Sequence, residues 1–261
     1  MEEIRKFYLI KKGLNSFLCI FLLITVIYAQ FYGATPKTLS VFGRTDRLVP
    51  IYRVKTDEKK VAISFDAAWG SDITPQLLKI LEDNNVKTTF FLVKFWMDEY
   101  PEMTKRIAAA GHEIGNHSAT HPNMGSLSKS EVIKEIKDTH DKIKELTGQT
   151  STVFRPPFGD YSNTLITTCN ELGYHVIQWD VDSLDWKDLS SSAIYDRVMK
   201  QVSPGSIILF HNNGKFTAEA VEPIIKELKS QGYKIVPISQ LILKGDYYID
   251  RVTGEMREGK D

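Results

Sequence analysis

Val61-Ala-Ile-Ser-Phe65-Asp66-Ala-Ala-Trp-Gly70 is the stretch whose reading decides the fold. Five residues of buried-strand character run straight into a carboxylate, and a glycine-containing turn follows. Asp72-Ile-Thr-Pro75 then opens an amphipathic helix with Leu77, Leu78, Ile80 and Leu81 on one face, the spacing of a helical stripe. A strand of buried character followed by such a helix is the unit of a parallel sheet covered on both sides.

The unit recurs downstream. Residues 88–93 read as the next strand, and a helix runs from Pro101 through Ile107 to a stop at Gly111. Ser128 or Ser130 caps a long helix with Val132, Ile133, Ile136, Ile143 and Leu146 along its apolar face, and Gly148 ends it. His140, among charged neighbours on that helix, reads as a solvated surface histidine. Strand 153–154, helix 162–172, strand 176–180, helix 191–202, strand 206–210, helix 218–231 and strand 233–237 follow. The alternation predicts an α/β fold of parallel βα units, closing into a barrel.

The 261 residues carry 33 basic and 33 acidic side chains, for a formal net charge of zero. That balance argues against a general nucleic-acid binder. Arg5, Lys6, Lys11 and Lys12 precede an uncharged stretch over 13–36 whose centre, 17–28, is almost wholly apolar. About 20 such residues span a hydrocarbon core, and the basic leader orients the N-terminus inside. Segment 1–36 is therefore expected to be a membrane signal-anchor or a signal peptide, with Ala29 and Ala34 as candidate cleavage positions. Either reading exports the domain, membrane-anchored or secreted, beyond the cytoplasmic membrane. Residues 37–58 read as a linker and lead-in strand, 59–244 as the catalytic domain, and 245–261 as a loose polar tail. Cys19 lies in the apolar segment and Cys169 in the domain, so no disulfide framework is expected.

In a parallel barrel the carboxyl ends of the strands share one face, and active sites lie there. At or just after these ends stand Asp66, His117 with His121, Arg155, Asp182 with Asp185, and His211. The two histidines of Ile114-Gly-Asn-His117-Ser-Ala-Thr-His121-Pro122 are one helical turn apart, which brings both imidazoles onto one face. Neutral imidazole suits zinc, cobalt or iron. Each group alone has a plainer reading: Asp66 a helix cap, Arg155 a surface ion pair, Asp185 a turn residue, His211 a buried hydrogen-bonded histidine. Five sequence-distant clusters at strand ends point instead to one shared site.

Asp66 after Ser64-Phe65, His117-Ser-Ala-Thr-His121, Arg155-Pro-Pro-Phe158, Asp182-Ser-Leu-Asp185-Trp186 and Ile208-Leu-Phe-His211 resemble the ordered motifs of the polysaccharide deacetylase family. This is the NodB-homology group, carbohydrate esterase family four, and the likeness runs over residues 58–240. The Phe65-Asp-Ala-Ala-Trp69 form of the first motif and the N-terminal segment are similar to the PdaB-like sporulation branch. The resemblance implies a distorted (β/α) barrel of seven or eight strands. It implies a hydrolase that removes N-acetyl, sometimes O-acetyl, groups from peptidoglycan or a related cell-wall glycan. It further implies a divalent metal on His117 and His121, zinc first, with cobalt or another transition metal as alternatives. Asp66 matches the catalytic base, Arg155 the residue that orients it, His211 the catalytic acid and Asp185 the carboxylate that holds the acid. The backbone N–H at Phe158 falls where the family places an oxyanion donor. Trp186 walls the sugar pocket, and Trp69 and Trp179 offer further rings for stacking.

One position departs from the pattern. The family places a second aspartate, a metal ligand, directly after the first; here that residue is Ala67. A methyl ligates nothing, so cation binding is expected to weaken. Asp66, Asn116, Ser118 or a water are the groups at hand to fill the vacancy. The resulting expectation is a weakened, metal-dependent N-deacetylase. The alternatives are a glycan-binding homologue without turnover and an O-acetyl esterase.

Overall fold

The computed structural model describes residues 47–259. After a short β1 (Arg53–Val54), β2 (Lys60–Ala67) forms the centre of a parallel sheet. On one side lie β3 (Thr89–Leu92), β4 (Glu113–Asn116), β5 (Val153–Phe154) and β6 (His175–Val176); on the other lie β8 (Ile207–His211) and then β7 (Val181–Asp182). The intervening helices are α1 (Thr74–Asp83), α2 (Lys94–Glu99), α3 (Pro101–Ala109), α4 (Lys129–Thr147), α5 (Asn163–Glu171), α6 (Ser191–Gln201) and α7 (Thr217–Ser230). A short β9 (Lys234–Ile235) pairs with the start of β2 and leads into α8 (Ile238–Leu241).

Side-chain alternation along β2 explains its apolar run. Val61, Ile63 and Phe65 belong to the large core cluster shared with α1, α6 and α7, while Ala62 belongs to a second cluster with Ile51, Val54, Phe91, Ile177 and Ile238. Both faces are buried, as parallel strands require. Ser64 and Asp66 share the face of Ala62 by the period of two. The strand thus carries apolar residues low on the inner face and a carboxylate at its top.

The sheet curls because of one connection. Its edge strands β6 and β7 are consecutive in sequence, separated by residues 177–180 alone. Seven strands laid flat would be about 29 Å across, whereas the step from Val176 to Val181 spans at most about 17 Å of extended chain. The edges must therefore approach one another. Among the described residues no ladder joins β6 to β7, so the molecule is a half-barrel of parallel strands rather than a closed barrel. The lead-in segment fills the gap: Ile51 bridges to Ile177 and Arg53 to Ser206. The single strand expected over 176–180 is accordingly broken, its second half serving as this crossing.

Two other expectations, the loose tail and the solvated His140, are corrected. The tail is not loose through residue 259. β10 (Tyr247–Ile249) and β11 (Glu255–Glu258) form a hairpin, and β11 pairs with β1 in a second, three-stranded sheet. Met256 is fully buried, and Arg53 reaches Asp180 at 3.4 Å and Glu255 at 3.3 Å. Two strands of three and four residues with charged outer positions gave no period to read. His140 is half-buried, its Nδ1 2.6 Å from the Tyr174 hydroxyl. Cys169 is a free, buried thiol. The apolar segment 1–36 lies outside the described residues; among those described, no helix is long and apolar enough to cross a membrane.

Gly115, in β4, is required by a close approach. A Cβ there would meet the Phe91 ring at 2.4 Å. Phe91 in turn lies under the Arg155 guanidinium, 4.2 Å from ring centroid to carbon. Gly115→Ala is expected to destabilise the domain by about 1–3 kcal/mol, the usual range for overpacking, as read by urea unfolding.

Candidate active site

The register of the sheet assembles the site. Asp66 on β2 is the ladder partner of His211 on β8. Leu92, Asn116 and Phe154 are partners in one row across β3, β4 and β5, so the next residues of two strands, His117 and Arg155, emerge side by side. Asp182 ends β7. These groups line one cavity of about 560 Å³ together with His121, Trp69, Phe158, Trp179, Trp186 and Asn213, save that Arg155 lies beneath its floor. A second cavity, about 410 Å³ and lined by His175, Lys244 and Tyr247, holds none of the strand-end groups.

Two buried charge pairs frame the chemistry. Arg155 is fully buried and donates from Nη1 to Asp66 Oδ1 at 2.7 Å and from Nη2 to the Gln178 carbonyl at 3.1 Å. Burial alone would raise the Asp66 pKa, but the charge of Arg155, helped by His117 and His211, brings it below the ordinary carboxylate value. The second pair is His211 and Asp185. Asp185 Oδ1 lies 2.7 Å from His211 Nδ1, and its Oδ2 accepts from the His211 backbone N–H and from Thr217 Oγ1, each at 2.7 Å. Burial opposes the charged imidazole, yet the hydrogen bond and charge of Asp185 outweigh it, so the His211 pKa is raised. Asp185 is fully buried at the start of a 3₁₀ turn entered through Leu184, whose φ of 53° is left-handed.

The histidine pair sits differently from expectation. Residues 117–123 form an irregular loop, not a helical turn, and Ser118 and His121 have φ of 70° and 58°. Local bonds hold it: Asn116 Oδ1 accepts from the Ser118 N–H at 3.0 Å, and Ser118 Oγ from the His121 N–H at 3.0 Å. The loop still brings the imidazoles together, with ring centroids 5.1 Å apart. His117 Nδ1 is 2.7 Å from the Arg155 carbonyl oxygen. A carbonyl only accepts, so Nδ1 carries the proton and the Nε2 lone pair turns toward Asp66 Oδ2, 3.6 Å away. Burial lowers the pKa of both rings, that of His121 to about 4, which keeps them neutral and able to ligate.

His117 and His121 fit half of a metal centre. Among the described residues no group of three or more His, Cys, Asp or Glu is arranged to hold a metal. Ala67 is fully buried within the apolar cluster between sheet and helices. The donor chemistry suits a transition metal held by two imidazoles, with Asp66 Oδ2 the carboxylate oxygen within reach.

Large exposed rings surround the opening: Trp69 and Trp186 are each 57% exposed and Phe158 is 66% exposed. Trp69 and Phe158 both stand edge-on to His121, at 4.9 and 4.6 Å. Phe158 is placed by a left-handed backbone, φ 59°. The sequence reading missed Gln178, whose carbonyl takes Arg155 and whose amide donates to Gly159 at 2.9 Å. It also missed Glu135 on α4, an acid set beside the buried positions Val132, Ile136 and Thr139.

Comparison with known proteins places the fold in a family. The polysaccharide deacetylase family model matches residues 53–177. The chain is 32% identical over 197 residues to the peptidoglycan-N-acetylmuramic acid deacetylase PdaA of Bacillus subtilis, covering 74% of this chain and 75% of PdaA. It is 38% identical over 188 residues to Bacillus subtilis PdaC, also a peptidoglycan-N-acetylmuramic acid deacetylase, covering 72% of this chain but 40% of PdaC. A crystal structure of a CE4 family pseudoenzyme from Bacillus anthracis superposes with a TM-score of 0.72 at 37% identity, covering 74% of this chain and 68% of that one. A mutant of that pseudoenzyme has restored enzymatic activity. The chain belongs to the polysaccharide deacetylase family, carbohydrate esterase family 4.

Removing Arg155 would leave Asp66 buried without its partner. Arg155→Ala is expected to cost about 3–5 kcal/mol, the cost of breaking a buried pair from one side, with the loss read by denaturant unfolding near neutral pH.

Proposed function

We propose that this protein hydrolyses N-acetyl groups on a peptidoglycan-type glycan, outside the cytoplasmic membrane, with an activity limited by its incomplete metal centre. The observation that carries the reading is the coexistence of two oppositely tuned pairs at one cavity: Asp66, whose pKa the Arg155 charge lowers, and His211, whose pKa the bond to Asp185 raises. Groups whose surroundings push them apart in this way suit base and acid roles. The basic leader and apolar stretch of segment 1–36 support export, and the Phe65-Asp-Ala-Ala-Trp69 motif supports a place in sporulation.

In this reading the amide carbon of the N-acetyl group lies between Asp66 and His211. Asp66 accepts a proton from the attacking water, whose oxygen bonds to the carbonyl carbon. The carbonyl oxygen becomes an oxyanion, to which the backbone N–H at Phe158 is assigned as donor. His211 then gives its proton to the nitrogen as the C–N bond breaks, leaving acetate and a free amine. A divalent metal on His117 and His121, zinc or a similar ion, would acidify the water and add a positive pole for the oxyanion. Trp69 and Trp186 offer flat faces for the sugar rings.

His211 must be protonated to act, and its pKa is raised, so turnover is expected to hold through the ordinary histidine value of 6.5 and to fall only above it. Asp185→Asn should move that alkaline limb to lower pH. Acetate release from an N-acetylated oligosaccharide, followed across pH, checks both. A profile that Asp185→Asn leaves in place would contradict the acid role.

Ala67→Asp is expected to raise metal affinity at least about tenfold and to increase turnover. Without metal the same variant should have a lower Tm than the parent, because the new carboxylate replaces a buried methyl. Metal titration and thermal unfolding read the two effects. Equal metal affinity with and without the substitution would sink the explanation.

Ala67 and the pseudoenzyme relative favour a second reading, in which the cavity binds glycan without turning it over. Trp186→Ala should then weaken oligosaccharide binding, and no acetate should be released by the parent protein at any metal concentration. Release from O-acetylated but not N-acetylated glycan would instead identify an esterase.

A further inference from the structure

We infer that Glu135 is a positioning residue that fastens the histidine loop from behind and sets the place of His121. Glu135 stands on α4, outside the cavity. Its Oε2 accepts from the backbone N–H groups of Ala119 and Thr120, at 2.7 and 2.8 Å. Its Oε1 accepts from Thr120 Oγ1 at 2.8 Å. One carboxylate thus takes three hydrogen bonds from two consecutive residues between His117 and His121. Bonds to a charged acceptor are the stronger kind. The next residue of α4 holds the same loop at its root, where Asn116 Nδ2 donates to the Ile136 carbonyl at 2.9 Å.

The loop needs such a hold. Ser118 and His121 sit in left-handed backbone, a conformation L residues keep only where their surroundings enforce it. The two amides that Glu135 receives lie between these positions. A bond from Ser118 Oγ to the His121 N–H tightens the turn from within, and Glu135 ties the whole turn to a nineteen-residue helix. His117 has its own anchor in the Arg155 carbonyl. The His121 ring bonds to its own backbone, and Trp69 and Phe158 flank it edge-on. Its position therefore follows the backbone that Glu135 fixes. With no carboxylate at position 67 to draw a metal in, prior placement of the two imidazoles carries more of the binding.

The consequence for metal rests on the functional reading above, and the test separates the two. Cobalt(II) affinity and amide hydrogen exchange at Ala119 and Thr120 are measured in the parent, Glu135→Ala and Glu135→Gln proteins. Glu135→Ala is expected to lower cobalt affinity about tenfold or more, as loss of a partner behind a ligand does, and to speed exchange at both amides in metal-free protein. Glu135→Gln retains an acceptor oxygen and should lie close to the parent in both. Should Glu135→Ala fail to fold, Thr120→Ala, which removes the hydroxyl arm alone, should give a smaller loss in the same readouts, and parent-like values there would overturn the inference. Parent-like exchange and parent-like cobalt affinity in a folded Glu135→Ala protein would overturn the inference. A lowered Tm with both readouts unmoved would assign Glu135 a merely structural role and overturn it equally. If the parent binds no cobalt, the metal reading fails, and faster exchange at the two amides in Glu135→Ala still upholds the strap.

Discussion

Residues 177–180 have to join opposite edges of a path seven strands wide, and too little chain is available for the sheet to stay flat. The curl this forces is what turns strand ends that would stand in a line into groups that face one another. The same crossing serves the site directly. The Gln178 carbonyl takes one nitrogen of Arg155, and the Trp179 ring lies 5.6 Å from its guanidinium. The connection that bends the sheet also seats the cation on which Asp66 depends. A longer loop there would relax both constraints together.

Within the curled sheet, the β2–β8 ladder makes Asp66 and His211 neighbours, and each is governed by a different buried partner. Neither pair is worth much as a source of stability, since desolvation offsets most of the attraction. Their value lies in the opposite protonation preferences they impose a few ångströms apart. The imidazoles of His117 and His121 form a third group that shares the cavity yet hangs from a loop. Its fastening is divided: His117 is held at the Arg155 carbonyl just past β5, and the stretch before His121 is held by Glu135 of α4.

Much of this was legible in the chain. Continuous apolar runs such as 61–65 mark strands buried on both faces, and the polar residue closing each run marks the site end. Asp66, His117, Arg155, Asp185 and His211 were read that way, and the cavity collects Asp66, His117 and His211, with Arg155 beneath its floor and Asp185 behind His211. What escaped had weak local signal. The terminal hairpin is two short strands whose only fully buried residue is Met256, and its pairing with β1 is long-range. The loop at His117–His121 has helical spacing without helical backbone, because Asn116 and Ser118 offer local bonds that compete with a helix. Glu135 looks like one more charge on a solvated helix; its three partners appear only when β4 and α4 are placed together. His140 was misjudged for the same reason, its partner Tyr174 lying on another element.

Ala67 has a consequence beyond its missing ligand. The residue lies fully buried in an apolar cluster. A carboxylate there is tolerable in a folded chain chiefly when a cation accompanies it, so aspartate makes the integrity of the core hostage to metal supply. Alanine releases that dependence. Its methyl sits in the apolar cluster without calling for a cation, while the rest of the cavity lining is unaffected by that choice. Stability without metal and strength of metal binding pull in opposite directions at this one position.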